Sequence, residues 1–406
     1  MKRAIVLSGG GGKGAYQIGF WKAIRELDIE YNIVTGTSIG ALNGAFMVQG
    51  NYKDAIKLWT SMNYDKVFDG GMDNYSYYTK EGKKKVILKY AKAAAKGGLS
   101  VPGLEKIIDD NLKHDLFYSS KVDYGLVTVK FPSLKPVMLT KKELKRELLG
   151  EYLLATASCF PAFKMTEINN ESYIDGGYYD NMPIELAIKL GAEEIIAVDL
   201  SAAGRKRKIP ETSVPITIIK AKGDIGNFLV IEKKQSKRLM KIGYNDTMKI
   251  FEKLDGEIYT FKKGSLKRNY NRIFDRFKSN LNSNIKNKDI AKYSKKLTNV
   301  KEVDFNRTLE NLMKVFCLDD TVVYRTSYAN VQIKKAFKKE KGLSFKLIKK
   351  MITANKLNKN FVNKEIICYI YEELINKKES SKILNNLALL LPESYLCAIY
   401  LKTIMK

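Results

Sequence analysis

Residues Tyr31–Met47 read YNIVTGTSIGALNGAFM, and the rest of the chain is understood by working outward from them. The β-branched run Ile33-Val34-Thr35 predicts a strand, Gly36-Thr37-Ser38-Ile39-Gly40 a tight turn, and the small residues after it a helix. Strand, turn and helix form the setting in which G-x-S-x-G has chemical meaning, because the turn holds the serine strained and lifts its hydroxyl above the sheet. Gly36 and Gly40 are required since a side chain two positions either side of Ser38 collides with the turn. The positive end of the following helix points to where an oxyanion forms.

Upstream, Ala4–Leu7 is a short apolar strand. It runs into Gly9-Gly10-Gly11-Gly12-Lys13-Gly14 and then a helical pattern over Ala15–Leu27. Such a loop presents backbone N–H groups to a negative charge. It also satisfies G-x-G-x-x-G, but the acidic residue a dinucleotide site needs about twenty positions on would fall near Val34–Thr35, and neither is acidic. Gly14 follows Lys13 where a P-loop needs Ser or Thr. With an activated serine downstream, the loop reads as an oxyanion hole.

Downstream, Asn51–Asn63 continues helical, and the lysine- and tyrosine-rich 64–100 is either a cover over the site or a solvated insertion. Leu104–Leu116 reads as one amphipathic helix carrying His114. Tyr124–Lys130 and Val137–Thr140 read as paired strands, and Leu148–Cys159 as a helix. A strand at Ser172–Ile174 delivers Asp175-Gly176-Gly177, and a helix follows at Ile184–Leu190. Glu194–Leu200 and Val214–Lys220 are further strands. This alternation predicts an open, mostly parallel sheet with helices on both faces, whose working groups gather at the carboxyl ends of the strands. Arg205–Lys208 (RKRK) reads as a solvated loop.

A serine nucleophile needs a proton acceptor and an oxyanion stabiliser. The sole histidine is His114, so either it serves or a carboxylate bonded to the serine does. Asp-Gly-Gly occurs at Asp69 and at Asp175, and the second is chosen because it closes a strand while the first sits in a polar turn-rich stretch.

SGGGGKGAYQIG, GTSIGALNGAF and YIDGGYYDNMPIELAIKLGA, in that order, resemble the patatin-like phospholipase family, and FPAF (Phe160–Phe163) and IIAVDL fit as well. The resemblance covers roughly residues 4–200. It implies a three-layer α/β/α lipid acyl hydrolase that needs no cofactor. Its nucleophile is Ser38, its base Asp175 in a D-G-G motif with Gly176 and Gly177, and its oxyanion hole the Gly9–Gly14 loop with Lys13 at the family's Arg/Lys position. The implied substrate is a phospholipid or another acyl lipid.

The 406 residues predict two domains, a hydrolase domain over 1–222 and a basic, mainly helical region over 223–406. Net charge is +27, of which +20 lies in 223–406. That surplus suggests either a polyanion partner, with anionic membrane preferred over nucleic acid, or lysines that solvate helices. No nucleic-acid motif is present. Apolar stripes (Leu309, Leu312, Val315, Phe316; Val331, Ile333, Phe337; Phe345, Ile348; Ile366, Ile370, Leu374) predict a small bundle. Pro392, Glu393 and Lys402 interrupt the apolar tail Leu387–Met405, so it is not read as a membrane span. Four cysteines without C-x-x-C and no signal-peptide pattern predict reduced thiols and a cytoplasmic protein, and the basic C-terminal region suggests peripheral contact with the inner face of the membrane. The lone histidine argues against a metal centre. A nucleotide-binding protein using the glycine loop, and a non-enzymatic basic scaffold for membrane or nucleic acid, are the competing readings.

Overall fold

The structure, a computed structural model, describes residues 1–67, 80–284, 297, 299–340, 342, 347–348, 350, 361–376 and 382–405. It divides into two compact units, Met1–Ile250 and Phe251–Lys406.

The first unit is built on an eight-stranded sheet. Its strands are β1 (Arg3–Leu7), β2 (Ile33–Thr37), β3 (Asp123–Phe131), β4 (Pro136–Thr140), β5 (Thr166–Ile168), β6 (Glu171–Asp175), β7 (Glu194–Asp199) and β8 (Ile216–Lys220). Hydrogen-bonded neighbours run β5-β6-β3-β2-β1-β7-β8, and β4 pairs with β3. The pairs β1–β2, β2–β3, β1–β7 and β7–β8 are parallel, while β4 and β6 run antiparallel to β3 and β5 antiparallel to β6. The unit's helices are α1 (Ala15–Glu26), α2 (Ile39–Val48), α3 (Tyr52–Ser61), α4 (Lys80–Ala94), α5 (Pro102–Asn111), α6 (His114–Ser119), α7 (Leu149–Thr156), α8 (Ile184–Lys189) and α9 (Lys233–Ile250).

Strand alternation sends successive side chains to opposite faces. Ala4, Val6, Ile33, Ile195 and Ala197 pack on Ile184 and Ala187 of α8. On the other face α2 lies close enough that a methyl at Gly44 would sit 3.0 Å from Val34 and 3.2 Å from Tyr124. The result is a mixed α/β architecture of three layers with a mostly parallel central sheet, as expected.

The registers show how two strand ends meet. Residues 125–127 of β3 pair with both β2 and β4, so those two strands occupy opposite edges of β3. Residues 128–129 pair with both β4 and β6, which puts β6 on the edge that β2 has just vacated. Thr37 faces Val127 and Asp175 faces Thr128, so β2 and β6 arrive head to head. Asp175 therefore reaches the carboxyl edge of the parallel strands on a strand running the other way.

Three details differ from the sequence reading. Leu104–Leu116 is two helices, because Leu112 turns extended (ψ 110°) and the chain restarts at His114. The first unit continues to Ile250 instead of ending at 222. The reason is α9, which crosses α1 at backbone contact: a Cβ at Gly19 would lie 1.9 Å from the Met240 carbonyl oxygen, and one at Gly243 would lie 2.0 Å from that of Tyr16. Only glycine permits such an approach on both helices. The third difference is Val331, which is exposed although its stripe predicts burial.

The second unit is mainly helical, with a three-stranded sheet ordered β11-β10-β9 (Val323–Tyr324, Thr260–Lys262 and Leu254–Asp255). Its helices are α10 (Ser265–Asn284), α11 (Glu302–Val315), α12 (Thr326–Phe337), α13 (Lys364–Asn376), α14 (Lys382–Leu390) and α15 (Pro392–Met405). Leu309, Leu312, Ile333, Ile348, Ile366, Ile370 and Leu374 are buried in one core as predicted, while Phe345 lies outside the described residues. The apolar tail is the centre of that core. Every residue from Pro392 to Leu401 is buried, and α10, α11, α12, α13 and α14 all pack on α15. A helix that is apolar on all sides belongs inside a bundle. Among the described residues no helix is long and apolar enough to cross a membrane.

Candidate active site

β2 ends at Thr37 and α2 starts at Ile39, so the whole reversal falls on Ser38. Its φ of 55° and ψ of −131° lie where a residue with a Cβ is strained. The flanking glycines make the turn sterically possible. A Cβ at Gly36 would lie 2.5 Å from the Gly40 carbonyl oxygen, and one at Gly40 would lie 2.2 Å from that of Leu7. The Ser38 N–H donates to Thr156 Oγ1 at 2.9 Å, and that hydroxyl donates to the Val127 carbonyl. Thr37 Oγ1 donates to the Asp180 carbonyl at 2.8 Å. The turn is thus held from both sides, by the end of α7 and by the chain just after β6.

Asp175, last residue of β6, is buried. Its N–H donates to the Ser158 carbonyl at 2.8 Å, and its Oδ1 accepts the Gly177 N–H at 2.7 Å. Gly176 opens a 3-10 turn against the Val127 carbonyl. Burial pushes the Asp175 carboxyl up to about 6, while the hydrogen bond from the Gly177 N–H and the neighbouring Ser38 hydroxyl pull the other way.

The glycine loop passes beside this pair. The Gly9, Gly12 and Lys13 N–H groups donate to the carbonyls of Asn181, Phe228 and Gly10 at 3.0, 2.7 and 3.1 Å. Among the described residues no hydrogen bond is recorded for the Gly10 and Gly11 N–H groups, which leaves those two for a ligand. Gly14 is pressed against Ile39 and Trp59, where a Cβ would come within 2.6 Å. The Lys13 side chain is buried and points away, its Nζ bonded to the carbonyls of Leu200 and Ser201 at 3.2 and 3.3 Å. Burial lowers its pKa, against the pull of Asp224 and Asp199. Lys13 thus pins the loop to the end of β7.

Ser38, Asp175, Gly10, Gly11 and Gly12 line one cavity of about 390 Å³. The rest of its wall is largely apolar, with Leu42, Trp59, Met62, Phe163, Phe228 and Leu229 prominent. A smaller cavity of about 40 Å³ shares Ile39, Leu42, Trp59, Met62 and Leu104 with it. An apolar pouch that brings together a strained serine, a raised carboxyl and two unpaired amides suits acyl transfer from a hydrophobic ester.

The family model for patatin-like phospholipase matches residues 5–188. Residues 5–188 are a patatin-like phospholipase domain. The chain is 25% identical over 203 residues to patatin-like phospholipase domain-containing protein 7 of Rattus norvegicus. It is 28% identical over 202 residues to neuropathy target esterase sws of Drosophila melanogaster, and 28% over 202 to lysophospholipase NTE1 of Chaetomium globosum. Each match spans 49% of this chain and respectively 14%, 13% and 12% of the relative, so the chain corresponds to a small part of those proteins. Among solved structures, VipD from Legionella pneumophila aligns with a TM-score of 0.40 at 13% identity, covering 100% of this chain and 91% of that one. The type III effector ExoU aligns with a TM-score of 0.30 at 12% identity, covering 91% and 77%.

Within the patatin-like domain, His114 does not line the cavity of Ser38; it borders a separate polar groove with Glu105, Asp109, Glu147 and Glu151. The alternative carboxylate, Asp69, lies outside the described residues. Sequence reasoning missed the groups that hold the site. Thr156 links the turn to β3, and Ser158 accepts the Asp175 N–H. Asn181 accepts the Gly9 N–H through its carbonyl. Arg205, read as part of a solvated loop, lines the cavity.

Proposed function

We propose that the patatin-like domain is a serine lipid acyl hydrolase acting on phospholipids or lysophospholipids, with Ser38 as nucleophile and Asp175 as general base. What supports this reading most directly is one arrangement: a strained serine, a buried carboxyl raised to about 6 and two free amides on the wall of one apolar cavity. Ser38 Oγ attacks the ester carbonyl carbon while its proton passes to the Asp175 carboxylate. The C=O electron pair moves onto oxygen, and the Gly10 and Gly11 N–H groups receive the oxyanion. Collapse of that adduct breaks the bond to the alcohol, which leaves with the proton from Asp175, and the acyl group stays on Ser38. Water then gives a proton to Asp175 and attacks the acyl-enzyme. A second collapse releases the fatty acid and returns the proton to Ser38.

An aspartate at its ordinary pKa near 3.9 is a feeble base toward a serine hydroxyl, and a shift to about 6 brings it nearer neutral working pH. The oxyanion donors supply much of the remainder, since losing one typically costs about 2.7–4 kcal/mol. The test is release of fatty acid from phospholipid and lysophospholipid micelles. Ser38→Ala and Asp175→Asn each lower kcat by about 10³-fold or more, and His114→Ala leaves it unchanged. A fully active Ser38→Ala protein sinks the proposal. Loss of activity in His114→Ala would replace the dyad by a histidine-dependent mechanism.

A further inference from the structure

We infer that Arg205 binds the phosphate of the lipid substrate, so that the site selects phosphate-bearing lipids over neutral glycerides; this rests on the hydrolase reading above. Among the described residues that line the cavity, Arg205 is the one cation and Asp175 the one carboxylate. Of the four consecutive cations Arg205, Lys206, Arg207 and Lys208, Arg205 is the one that lines the cavity.

The arginine is fixed where it stands. Its N–H donates to the Gly177 carbonyl at 2.8 Å, and its own carbonyl accepts the Asn181 N–H at 2.7 Å. Both partners belong to the turn that carries Asp175, so the arginine backbone is held beside the reacting groups while its side chain is exposed. The neighbouring cations are engaged elsewhere. Lys13 Nζ is bonded to the Leu200 and Ser201 carbonyls, and Lys206 Nζ to both Asp199 carboxylate oxygens at 2.7 Å. The Arg207 guanidinium lies 4.6 Å from the centre of the Tyr179 ring and 3.6 Å from Glu185. No ion pair or side-chain hydrogen bond is recorded for Arg205 among the described residues. A planar guanidinium with a free fork matches phosphate oxygens two at a time. In a glycerophospholipid the phosphate is joined to the acyl ester through the glycerol carbons. The acyl chain takes the apolar wall of Leu42, Trp59 and Met62, and the phosphate takes Arg205.

The experiment compares 1-acyl-lysophosphatidylcholine with the monoacylglycerol of the same chain, both in neutral-detergent micelles so that surface charge is equal. Arg205→Gln raises KM for the lysophospholipid roughly ten- to a hundredfold, the loss of one charge-assisted hydrogen-bonding group, and leaves glyceride hydrolysis unchanged. Arg205→Lys restores part of the difference, and Arg207→Gln changes neither substrate. Equal losses on both lipids, or no loss on either, overturn the inference and leave the hydrolase reading standing. If the unaltered protein hydrolyses neither lipid, the hydrolase reading itself falls and takes this inference with it.

Discussion

At the scale of single residues, Asp175 carries two opposed demands. Its carboxyl is raised to about 6 by burial, against an unfolded value near 3.9. Between these values the folded state holds more protons than the unfolded, so stability falls as pH rises from about 4 to about 6. Above that window the ionised side chain costs the fold about 3 kcal/mol. Asp175→Asn, which keeps an acceptor for the Gly177 N–H, is therefore more stable than the parent at pH 7 by that order while being inactive. The gain disappears at pH 4, and urea titrations at the two pH values check it. Asp180, also buried and also raised to about 6, titrates in the same window and is unchanged by this substitution. If Asp175 is the base as proposed, kcat/KM is expected to climb as pH rises through about 6, since the carboxyl must be ionised to accept the serine proton, and a pH–rate profile checks it. That Ser38 sits on a strand-to-helix turn and Asp175 at the end of a strand was legible because motif and strand context coincide in the chain. Thr156, Ser158, Asn181 and Arg205 were not, since each acts through a partner far away in sequence and no spacing rule marks a hydroxyl or amide for such work.

At the scale of elements, the crossing of α1 and α9 gives the sharpest test. Gly243→Ala should raise helix propensity by about 0.8–1 kcal/mol, and propensity alone predicts stabilisation. Yet the new methyl would sit 2.0 Å from the Tyr16 carbonyl oxygen, a backbone atom no rotamer change can move. Overpacking of this kind typically costs about 1–3 kcal/mol, so the clash outweighs the propensity. A lower Tm for Gly243→Ala is expected in a thermal melt, and an unchanged or higher one would disprove the crossing. Apolar runs located nearly every strand of the first unit, but alternation carries no sign for strand direction, and β6 was placed without its reversal. The break at Leu112 was equally hidden, because Ile107, Ile108 and Leu112 keep helical spacing across the end of α5. Spacing shows which face is buried and is silent on a turn inside the run.

For the whole molecule, the charge is the property that neither fold nor site explains. Residues 223–406 hold +20 of the net +27. Clustered lysines near an anionic bilayer contribute about 1 kcal/mol each and are screened within roughly 10 Å at 0.1 M salt. Co-sedimentation with vesicles containing phosphatidylserine, absent with purely zwitterionic vesicles and lost as salt rises, is the expected outcome. Equal binding to both lipids would assign the lysines to solvation alone. The division at Ile250 escaped the sequence because charge and strand content change near 222, whereas the α9 contact that decides it is three-dimensional.

The position of α15 has a consequence for how the chain is made. Synthesis proceeds from the N-terminus, and α10, α11, α12, α13 and α14 leave the ribosome before the helix on which they all pack. Until Pro392–Met405 emerges, Phe277 and Phe305 can meet each other but lack Tyr400, whose ring packs against both. The patatin-like domain, whose strands and site residues all precede Ile250, has no such wait. The core of the second unit is therefore complete only once Pro392–Met405 has joined the helices that precede it.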